Sequence, residues 1–240
     1  MRIRTEAKRL IPSPLLRLRQ RWILAKIRRR YEKMTAEETF AEIYRRGLWD
    51  GGSGTGSNEQ FSKSYCDFVV RFALERHVKR VVDIGCGDFR VGRRIAEARF
   101  EYIGVDIVPE IISRLQSQFG RKGLTFLCLD AITENPPAAD LCLIRQVLQH
   151  LSNAEIARVL DNCRHYPQLL VTEHLPVGRN IIPNKDKPHG PDIRAYQHSG
   201  VFLDKPPFSL PTEMMLEVPY GRGEVLRTVL IPGPRVAAGV

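Results

Sequence analysis

The sequence predicts an α/β fold: a three-layer sandwich with a mostly parallel central sheet and a C-terminal antiparallel hairpin, plus a helical basic N-terminal extension. Three observations lead to this prediction. Short apolar segments alternate with helical patterns between residues 58 and 173. The first apolar segment runs into a glycine turn, and the second ends in an acidic residue. Two further extended segments follow a proline-rich stretch near the end of the chain.

The composition is that of one ordinary domain with an additional segment. The chain has 240 residues, 43% of them hydrophobic, and contains no apolar run of 18 residues, so we expect no transmembrane helix. The N-terminus is basic but lacks the continuous apolar stretch of a secretory signal. Five scattered cysteines without CxxC pairs indicate reduced thiols in a cytoplasmic protein, and the sequence offers no metal-ligand triad.

The basic charge is confined to the N-terminus. Residues 1–33 contain twelve Lys or Arg and two acids, which account for the whole net charge of +10. A helix is expected to begin at Ser13-Pro14, with a partly apolar face and several arginines elsewhere. Such a basic amphipathic helix is typical of segments that bind anionic membrane surfaces, which would place the protein peripherally at the inner membrane face. The alternative is an arm that packs on its own domain or on a second subunit. A nucleic-acid partner is less favoured, because residues 34–240 are electrically balanced.

The segment before the main domain contains a capped helix and a glycine-rich loop. Thr35 and Glu38 form a capping-box pattern for a helix that Gly47 can end. Residues 51–57 hold four glycines, which favours a flexible linker on composition. The alternative is a lid over a bound ligand. We therefore divide the chain into an extension with its linker at 1–57 and a main domain at 58–240.

The main domain alternates helices and strands in the order of a parallel sheet. Helices are predicted at 59–77, 89–98, 110–119 and from 153, and strands at 80–84, 101–106, 124–129, 139–144 and 168–172. Extended segments near 213–218 and 224–231 predict the closing hairpin. Ligands of such proteins bind at the carboxyl ends of the strands.

The glycine turn narrows the class of ligand. Gly85 and Gly87 let the backbone turn tightly beside a ligand, and Asp106 ends the next strand where it can accept hydrogen bonds from ribose hydroxyls. A dinucleotide site would have a third glycine where this chain has Arg90, so the pattern disfavours NAD.

Four ordered motifs resemble those of the class I S-adenosylmethionine-dependent methyltransferases. They are Asp83-Ile84-Gly85-Cys86-Gly87, Val105-Asp106-Ile107, Leu129-Asp130-Ala131, and the stretch 140–151 that includes Gln146. The resemblance covers residues 60–173 and implies a Rossmann-like fold with S-adenosylmethionine as cofactor. Asn135-Pro136-Pro137 is interpreted as a turn, because it precedes the fourth strand instead of following it.

The resemblance also implies roles for individual residues. Asp83 would orient the cofactor's ammonium group, Asp106 would bind the ribose and Asp130 the adenine. The alternatives are a strand-end acid that stabilises its own turn at Asp83, and solvated loop acids at Asp106 and Asp130. The implied cofactor-binding residues are Asp83, Gly85, Cys86, Gly87, Asp106, Ile107, Asp130, Ala131, Arg145 and Gln146.

The candidates for the methyl acceptor's site come from the ends of the fourth and fifth strands. His150, Glu173 and His174 are expected on the cofactor rim, where a base can deprotonate a hydroxyl acceptor. The segment 184–194 is interpreted either as part of the acceptor pocket or as a solvated loop. Its cationic candidates for holding a phosphate or carboxylate are Lys185, Lys187, His189 and Arg194.

The function predicted from these observations is S-adenosylmethionine-dependent O-methylation of a small molecule or glycan by in-line methyl transfer. A glycan acceptor would agree with a membrane-associated arm, since such glycans are often built on lipid carriers. One alternative is an RNA or protein methyltransferase recruited by the basic arm. The other is a cofactor-binding adaptor without catalytic activity.

Overall fold

The computed structural model describes residues 29–49, 52–98, 100–221 and 223–233. The helix predicted from Ser13 lies outside these ranges, as does Gly51 of the glycine-rich loop. The helices are α1 (Ala36–Arg45), α2 (Glu59–Glu75), α3 (Arg90–Ile95), α4 (Pro109–Phe119) and α5 (Asn153–Cys163). No helix of the described residues is long and apolar enough to cross a bilayer.

Seven strands form the central sheet in the order β3-β2-β1-β4-β5-β9-β8. The first five in this order are parallel, and β9 runs antiparallel between β5 and β8. Two further strands of two residues each, β6 and β7, pair beside the sheet. The α/β class, the mostly parallel sheet and the terminal hairpin predicted from the sequence are thereby confirmed. The strands are β1 (Arg80–Ile84), β2 (Glu101–Asp106), β3 (Leu124–Cys128), β4 (Leu141–Arg145), β5 (Gln168–Pro176), β6 (Ile182–Pro183), β7 (Ser199–Gly200), β8 (Glu213–Pro219) and β9 (Glu224–Pro232).

The core is centred on the inner strands. Val81 and Val82 of β1 are fully buried, and so are Leu143 and Ile144 of β4. Consecutive apolar residues point to opposite faces of a strand, so their joint burial means that both faces of the sheet are covered. A strand of this kind needs continuous apolar sequence, which is what made β1 and β4 recognisable.

The segment before residue 58 packs on the main domain. The predicted capping box is present, with Thr35 and Glu38 exchanging backbone and side-chain hydrogen bonds of 3.2 and 2.8 Å. The Phe40 and Ile43 side chains of α1 are buried in the same core as the strands, as is Tyr31. The division at residue 57 therefore does not separate two packed units among the described residues.

Strand β5 is longer than predicted and changes the position of two candidate residues. Antiparallel β9 pairs with β5 along its whole length, from Gln168↔Pro232 to Pro176↔Glu224. This pairing keeps the chain extended beyond the predicted end at residue 172. Glu173 and His174 consequently lie within β5, whereas the sequence predicts that they follow it.

Candidate active site

A cavity of about 430 Å³ opens at the carboxyl ends of the parallel strands. This volume lies within the range typical of small-molecule sites. The cavity wall also includes the glycine-rich residues 53–57, part of the 191–196 segment and the turn between β8 and β9. Nine of the ten cofactor residues implied by the sequence line it, and Gly87 lies in the same turn as two of them. Those nine are Asp83, Gly85, Cys86, Asp106, Ile107, Asp130, Ala131, Arg145 and Gln146.

The turn after β1 accepts only glycine at two positions. Gly85 and Gly87 have φ angles of +71° and +56°, a region that side-chain-bearing residues rarely adopt. A Cβ atom on Gly85 would overlap the Val147 side chain, and one on Gly87 would overlap the Ser53 hydroxyl. The turn therefore packs tightly against the segments on either side of it.

Asp106 is held by backbone amides at the end of β2. Its carboxylate accepts hydrogen bonds from the Gly87 amide at 3.0 Å and the Val108 amide at 3.1 Å. Burial raises the pKa of Asp106, and these amide bonds act in the opposite direction. Since a carboxylate has about four acceptor positions, Asp106 retains capacity for a ligand in the cavity it lines. It is not a solvated loop acid.

Asp83 is tied to the neighbouring strand. Its carboxylate accepts a short hydrogen bond from the Tyr102 hydroxyl of β2. Burial raises the pKa of Asp83 to about 6, although the Tyr102 bond and the Arg145 charge lower it. The residue stabilises the turn region, as the structural alternative required, and it also lines the cavity.

Asp130 organises the turn after β3. Its carboxylate accepts from the Ile132 amide at 2.9 Å and from the Thr133 hydroxyl at 3.1 Å. The neighbouring Ala131 carbonyl accepts from the Asn162 side chain at 3.0 Å. These contacts hold Asp130 and Ala131 in a defined position at the cavity wall, which a freely solvated loop would not provide.

Arg145 and Gln146 extend the cavity wall from the end of β4. The half-buried Arg145 guanidinium donates to the Gly56 carbonyl at 2.8 Å and lies 5.0 Å from the centre of the Tyr65 ring. Burial lowers its pKa. Within the described part of the chain, the buried Gln146 Nε2 and Gln149 Oε1 atoms have no hydrogen-bond partner. Unpaired buried polar atoms in a cavity wall indicate that a polar ligand belongs there.

The glycine-rich loop is docked over the cavity. We call residues 52–57 the lid segment. The Ser53 amide donates to the Asp88 carboxylate at 3.1 Å, and the Ser53 hydroxyl accepts from the Asp88 amide at 2.8 Å. The Thr55 and Tyr220 hydroxyls are 2.6 Å apart. Composition had favoured a linker, but these contacts on two sides of the cavity are those of a lid.

His150 lines the cavity in a buried position. Its ring lies 4.6 Å from that of Trp49, and its Nδ1 atom is 3.2 Å from the Gly190 carbonyl. Burial and the nearby Lys187 charge lower the pKa of His150 to about 3. The imidazole is therefore neutral and a weak base, so its geometry suits packing and ligand contact.

Glu173 does not line the cavity. Its two carboxylate oxygens accept from the Leu148 amide at 2.9 Å and the Gln149 amide at 3.1 Å, which closes the turn after β4. Burial raises its pKa to about 8. The expectation that Glu173 lies on the rim is wrong, because the longer β5 places its side chain beneath the turn.

His174 does line the cavity, next to two residues that sequence reasoning missed. Its Nε2 atom is 3.1 Å from a Glu224 carboxylate oxygen, and its ring packs edge-on against Tyr220 with centroids 4.4 Å apart. Burial lowers the pKa of His174, and the Glu224 charge partly offsets this. No local motif links these residues, since only the β5–β9 pairing brings them together.

The basic residues of 184–194 mostly have structural partners. Arg194 is buried and donates to the carbonyls of Leu148, Gln149 and Leu151. Lys187 lies 3.4 Å from Asp192, and His189 lies 2.6 Å from Glu155, while Lys185 is exposed. The segment is therefore neither a solvated loop nor a cluster of cations pointing at an anion. It contributes Pro191, Ile193 and Tyr196 to the cavity.

Comparison with known proteins identifies the domain. Residues 82–166 match the family model of a methyltransferase domain. Uncharacterized methyltransferases of Mycobacterium bovis and Mycobacterium tuberculosis are each 26% identical over 113 residues, covering 45% of this chain and 46% of the relative. The chain thus spans about half the length of the curated relatives that it matches.

Solved structures share the fold at low sequence identity. The N-methyltransferase NodS from Bradyrhizobium japonicum, solved with S-adenosylhomocysteine, aligns with a TM-score of 0.58 at 13% identity, covering 82% of this chain and 100% of that one. Human N-acetylserotonin methyltransferase, solved with S-adenosylmethionine, aligns with a TM-score of 0.55 at 17% identity. The alignment covers 83% of this chain and 60% of that one.

The fold and the cavity together define a Rossmann-like α/β protein with a ligand site at its strand ends. More narrowly, residues 82–166 match a methyltransferase domain, and the fold is shared with methyltransferases solved with S-adenosylmethionine or S-adenosylhomocysteine. The resemblance noted in the sequence motifs is thereby confirmed.

Proposed function

We propose that the protein is an S-adenosylmethionine-dependent methyltransferase that transfers a methyl group in line to an oxygen atom of a small molecule or glycan. One observation carries the proposal. The cavity brings together the strand-end carboxylates of Asp83, Asp106 and Asp130, a glycine-only turn, and buried amide atoms that have no partner among the described residues. The relatives' names and the cofactors in the solved neighbours agree with it.

The residues present fit the cofactor. Bound S-adenosylmethionine supplies a methyl group on a positively charged sulfur. Asp106 would accept ribose hydroxyls, Asp130 and Ala131 would border the adenine, and Asp83 would face the ammonium group. The free donor of Gln146 and free acceptor of Gln149 offer further hydrogen bonds. The three carboxylates are held by other contacts before any ligand arrives, so their binding to it would require little reorganisation.

The covered cavity favours a small acceptor or the end group of a longer one. The lid segment lies on one side and the 191–196 segment on another, with Trp49, Tyr196 and Tyr220 in the wall. Walls of this kind would limit the access of water and help to align the reacting atoms, and such alignment supplies much of the rate in a displacement reaction. A folded protein or an RNA helix would have to displace the lid segment.

Partner and location remain part of the proposal. The charge of residues 1–33 supports attraction to an anionic membrane surface, which suits an acceptor built on a lipid carrier. Unpaired cysteines support a cytoplasmic location. Sedimentation with anionic vesicles should therefore decrease when residues 1–33 are deleted. Loss of acceptor methylation on that deletion, with a steep dependence on salt, would instead favour a nucleic-acid acceptor.

The test of the proposed function has two steps. Calorimetry should first show that the full chain binds S-adenosylhomocysteine. The protein is then incubated with methyl-labelled S-adenosylmethionine and fractionated cell extract, and the labelled product is analysed by mass spectrometry. We expect a labelled small molecule or glycan. Absence of binding would contradict the proposal outright, whereas binding without transfer to any fraction would favour the adaptor.

A further inference from the structure

The carboxyl end of β5 forms a corner of the cavity apart from Asp83, Asp106 and Asp130. Pairing between β4 and β5 ends at Arg145↔Thr172, and β5 continues beyond it. His174 lies on this continuation, with its side chain against Tyr220 and Glu224 of the neighbouring hairpin. All three residues line the cavity. We call them the β5 corner.

The contact with Glu224 determines which tautomer the His174 imidazole adopts. An ionised carboxylate can only accept hydrogen bonds, so the Nε2 atom 3.1 Å from Glu224 Oε2 carries the proton. The lone pair of the neutral imidazole is then on Nδ1. Burial favours this neutral form by lowering the pKa, and Glu224 stabilises the charged form that results from proton uptake. A neutral imidazole supported by a carboxylate is the arrangement of a proton acceptor.

His150 lacks that arrangement. Its Nδ1 atom faces the Gly190 carbonyl, and Lys187 and Arg194 further disfavour a positive charge on the ring. Glu173 is also unsuited, because it does not line the cavity and both of its carboxylate oxygens accept from backbone amides. Of the three candidates from the sequence, His174 is the one with both access to the cavity and a carboxylate partner.

Resting on the proposed function, we propose that His174 is the base that accepts the proton of a hydroxyl acceptor, and that Glu224 is its positioning residue. The acceptor oxygen forms a bond to the methyl carbon while the carbon–sulfur bond of the sulfonium donor breaks, and its electron pair stays on sulfur. The hydroxyl proton passes to His174 Nδ1. The resulting imidazolium is stabilised by Glu224, and the proton later leaves to water.

The same corner indicates what kind of acceptor fits. Arg145 is the only Lys or Arg among the described residues that line the cavity, and it donates to the Gly56 carbonyl. A phosphate or carboxylate beside Glu224 would find no cationic partner among the described residues that line this corner, and an unpaired charge there is costly. A carboxylate acceptor would also need no base. The geometry therefore favours an uncharged hydroxyl at the reacting end.

The test uses the acceptor fraction labelled by the wild-type full chain. His174→Asn should lower kcat by about 100-fold or more, the usual size of a general-base effect, and leave binding of S-adenosylhomocysteine unchanged. Glu224→Gln should cause a smaller loss and move the acidic limb of the pH–rate profile to lower pH, because Glu224 raises the pKa of His174. Tyr220 is the other titratable group in contact with the ring.

Two matched variants serve as controls. His198→Asn changes an exposed histidine outside the cavity, and Glu213→Gln changes an exposed glutamate on the same hairpin. Both should leave rate and profile unchanged. Near-wild-type transfer by His174→Asn, or an unshifted profile in Glu224→Gln, would overturn this assignment alone. Wild-type protein that binds S-adenosylhomocysteine but methylates nothing would overturn the proposed function and this assignment with it.

Discussion

The two ends of the cavity are built in different ways. At the proposed cofactor end, which contains Asp83, Asp106 and Asp130, each carboxylate is positioned by amides or hydroxyls of its own turn or of the adjacent strand. At the β5 corner, His174 contacts residues 46 and 50 positions away, and the lid segment reaches the hairpin through Thr55 and Tyr220. The first end is a set of local units, whereas the second is assembled by long-range pairing.

The strand ends and the lid segment are expected to differ in stability and in motion. Backbone amides hold the cofactor end, so its geometry forms together with the sheet. The lid segment is held by a few bonds through Ser53, Thr55 and Gly56, and the hydroxyl bonds among them each contribute only about 1 kcal/mol. We therefore expect the lid segment to open for ligand exchange while the strand ends stay in place.

The largest expected effect is at Arg194, which holds the turn after β4 between the two ends. Arg194→Leu should lower the free energy of unfolding by about 3–5 kcal/mol, because it removes buried charge-assisted bonds and leaves carbonyls unpaired. Arg164→Leu, at a residue exposed on α5's C-terminal side, is the matched control and should change little. Chemical denaturation measures both. Equal effects of the two changes would mean that Arg194 does not hold the turn after β4 in place.

The cofactor end is tested by Asp106→Ala. The substitution removes the acceptor of two backbone amides and the proposed partner of the ribose, so the affinity for S-adenosylhomocysteine should fall about 100-fold. Calorimetry measures the change, with Asp161→Ala on the α5 surface as the control. A well-folded Asp106→Ala protein with unchanged affinity would place the cofactor elsewhere in the cavity.

A pH dependence of stability distinguishes the 184–194 segment from a solvated loop. Glu155 and His189 are 2.6 Å apart. Burial raises the pKa of Glu155, but the bonds from His189 and Ser152 outweigh it and lower that pKa to about 2. The same contact raises the pKa of His189. Stability from Glu155 is present above about pH 4.5 and is lost as the pH falls through its folded pKa. Stability from His189 is present below about pH 6.5 and is lost as the pH rises through its raised folded pKa.

The measurement is the free energy of unfolding of wild type and His189→Gln across this pH range. The wild type should exceed the variant by about 1–2 kcal/mol near pH 6, and the difference should shrink toward alkaline pH. A difference that stays constant with pH would mean that the imidazole is not protonated in this contact.

The smallest effect is expected at the lid segment. Ser53→Ala removes the acceptor of the Asp88 amide and the partner of the Tyr44 hydroxyl. The bound S-adenosylhomocysteine should then dissociate about 2- to 10-fold faster, with the unfolding free energy little changed. Stopped-flow fluorescence can follow this, because Trp49 lies in the cavity wall. Ser209→Ala, outside the cavity, should leave the rate unchanged.

Local chemistry explains which features could be predicted. The capping box at Thr35 and Glu38 is a four-residue signal, and it is present as expected. Glycine is needed at position 85 because its own φ angle is positive, at +71°. The burial of β1 follows from its run of apolar residues. Each of these depends on neighbours in sequence, so the residue types alone contain the information.

The length of β5 was not predictable in the same way. Glu173 is polar, and polarity after an apolar run normally marks the end of a strand. Here β9 supplies hydrogen bonds along the edge, and the turn after β4 supplies amides for the carboxylate. Composition leaves the glycine-rich segment open between a linker and a lid for a related reason, since it indicates conformational freedom and not the partners that Ser53 and Thr55 find.

The sequence by itself determined the fold class and the order of the strand-end motifs, and hence which residues are proposed for the cofactor end of the cavity. Only the tertiary structure decided that residues 52–57 lie over the site, that Glu173 supports a turn, and that Glu224 is the partner of His174. The physical reason is the range of the interactions. Turns and strand ends are specified by adjacent residues, whereas an antiparallel edge pairing joins residues whose proximity no local pattern encodes.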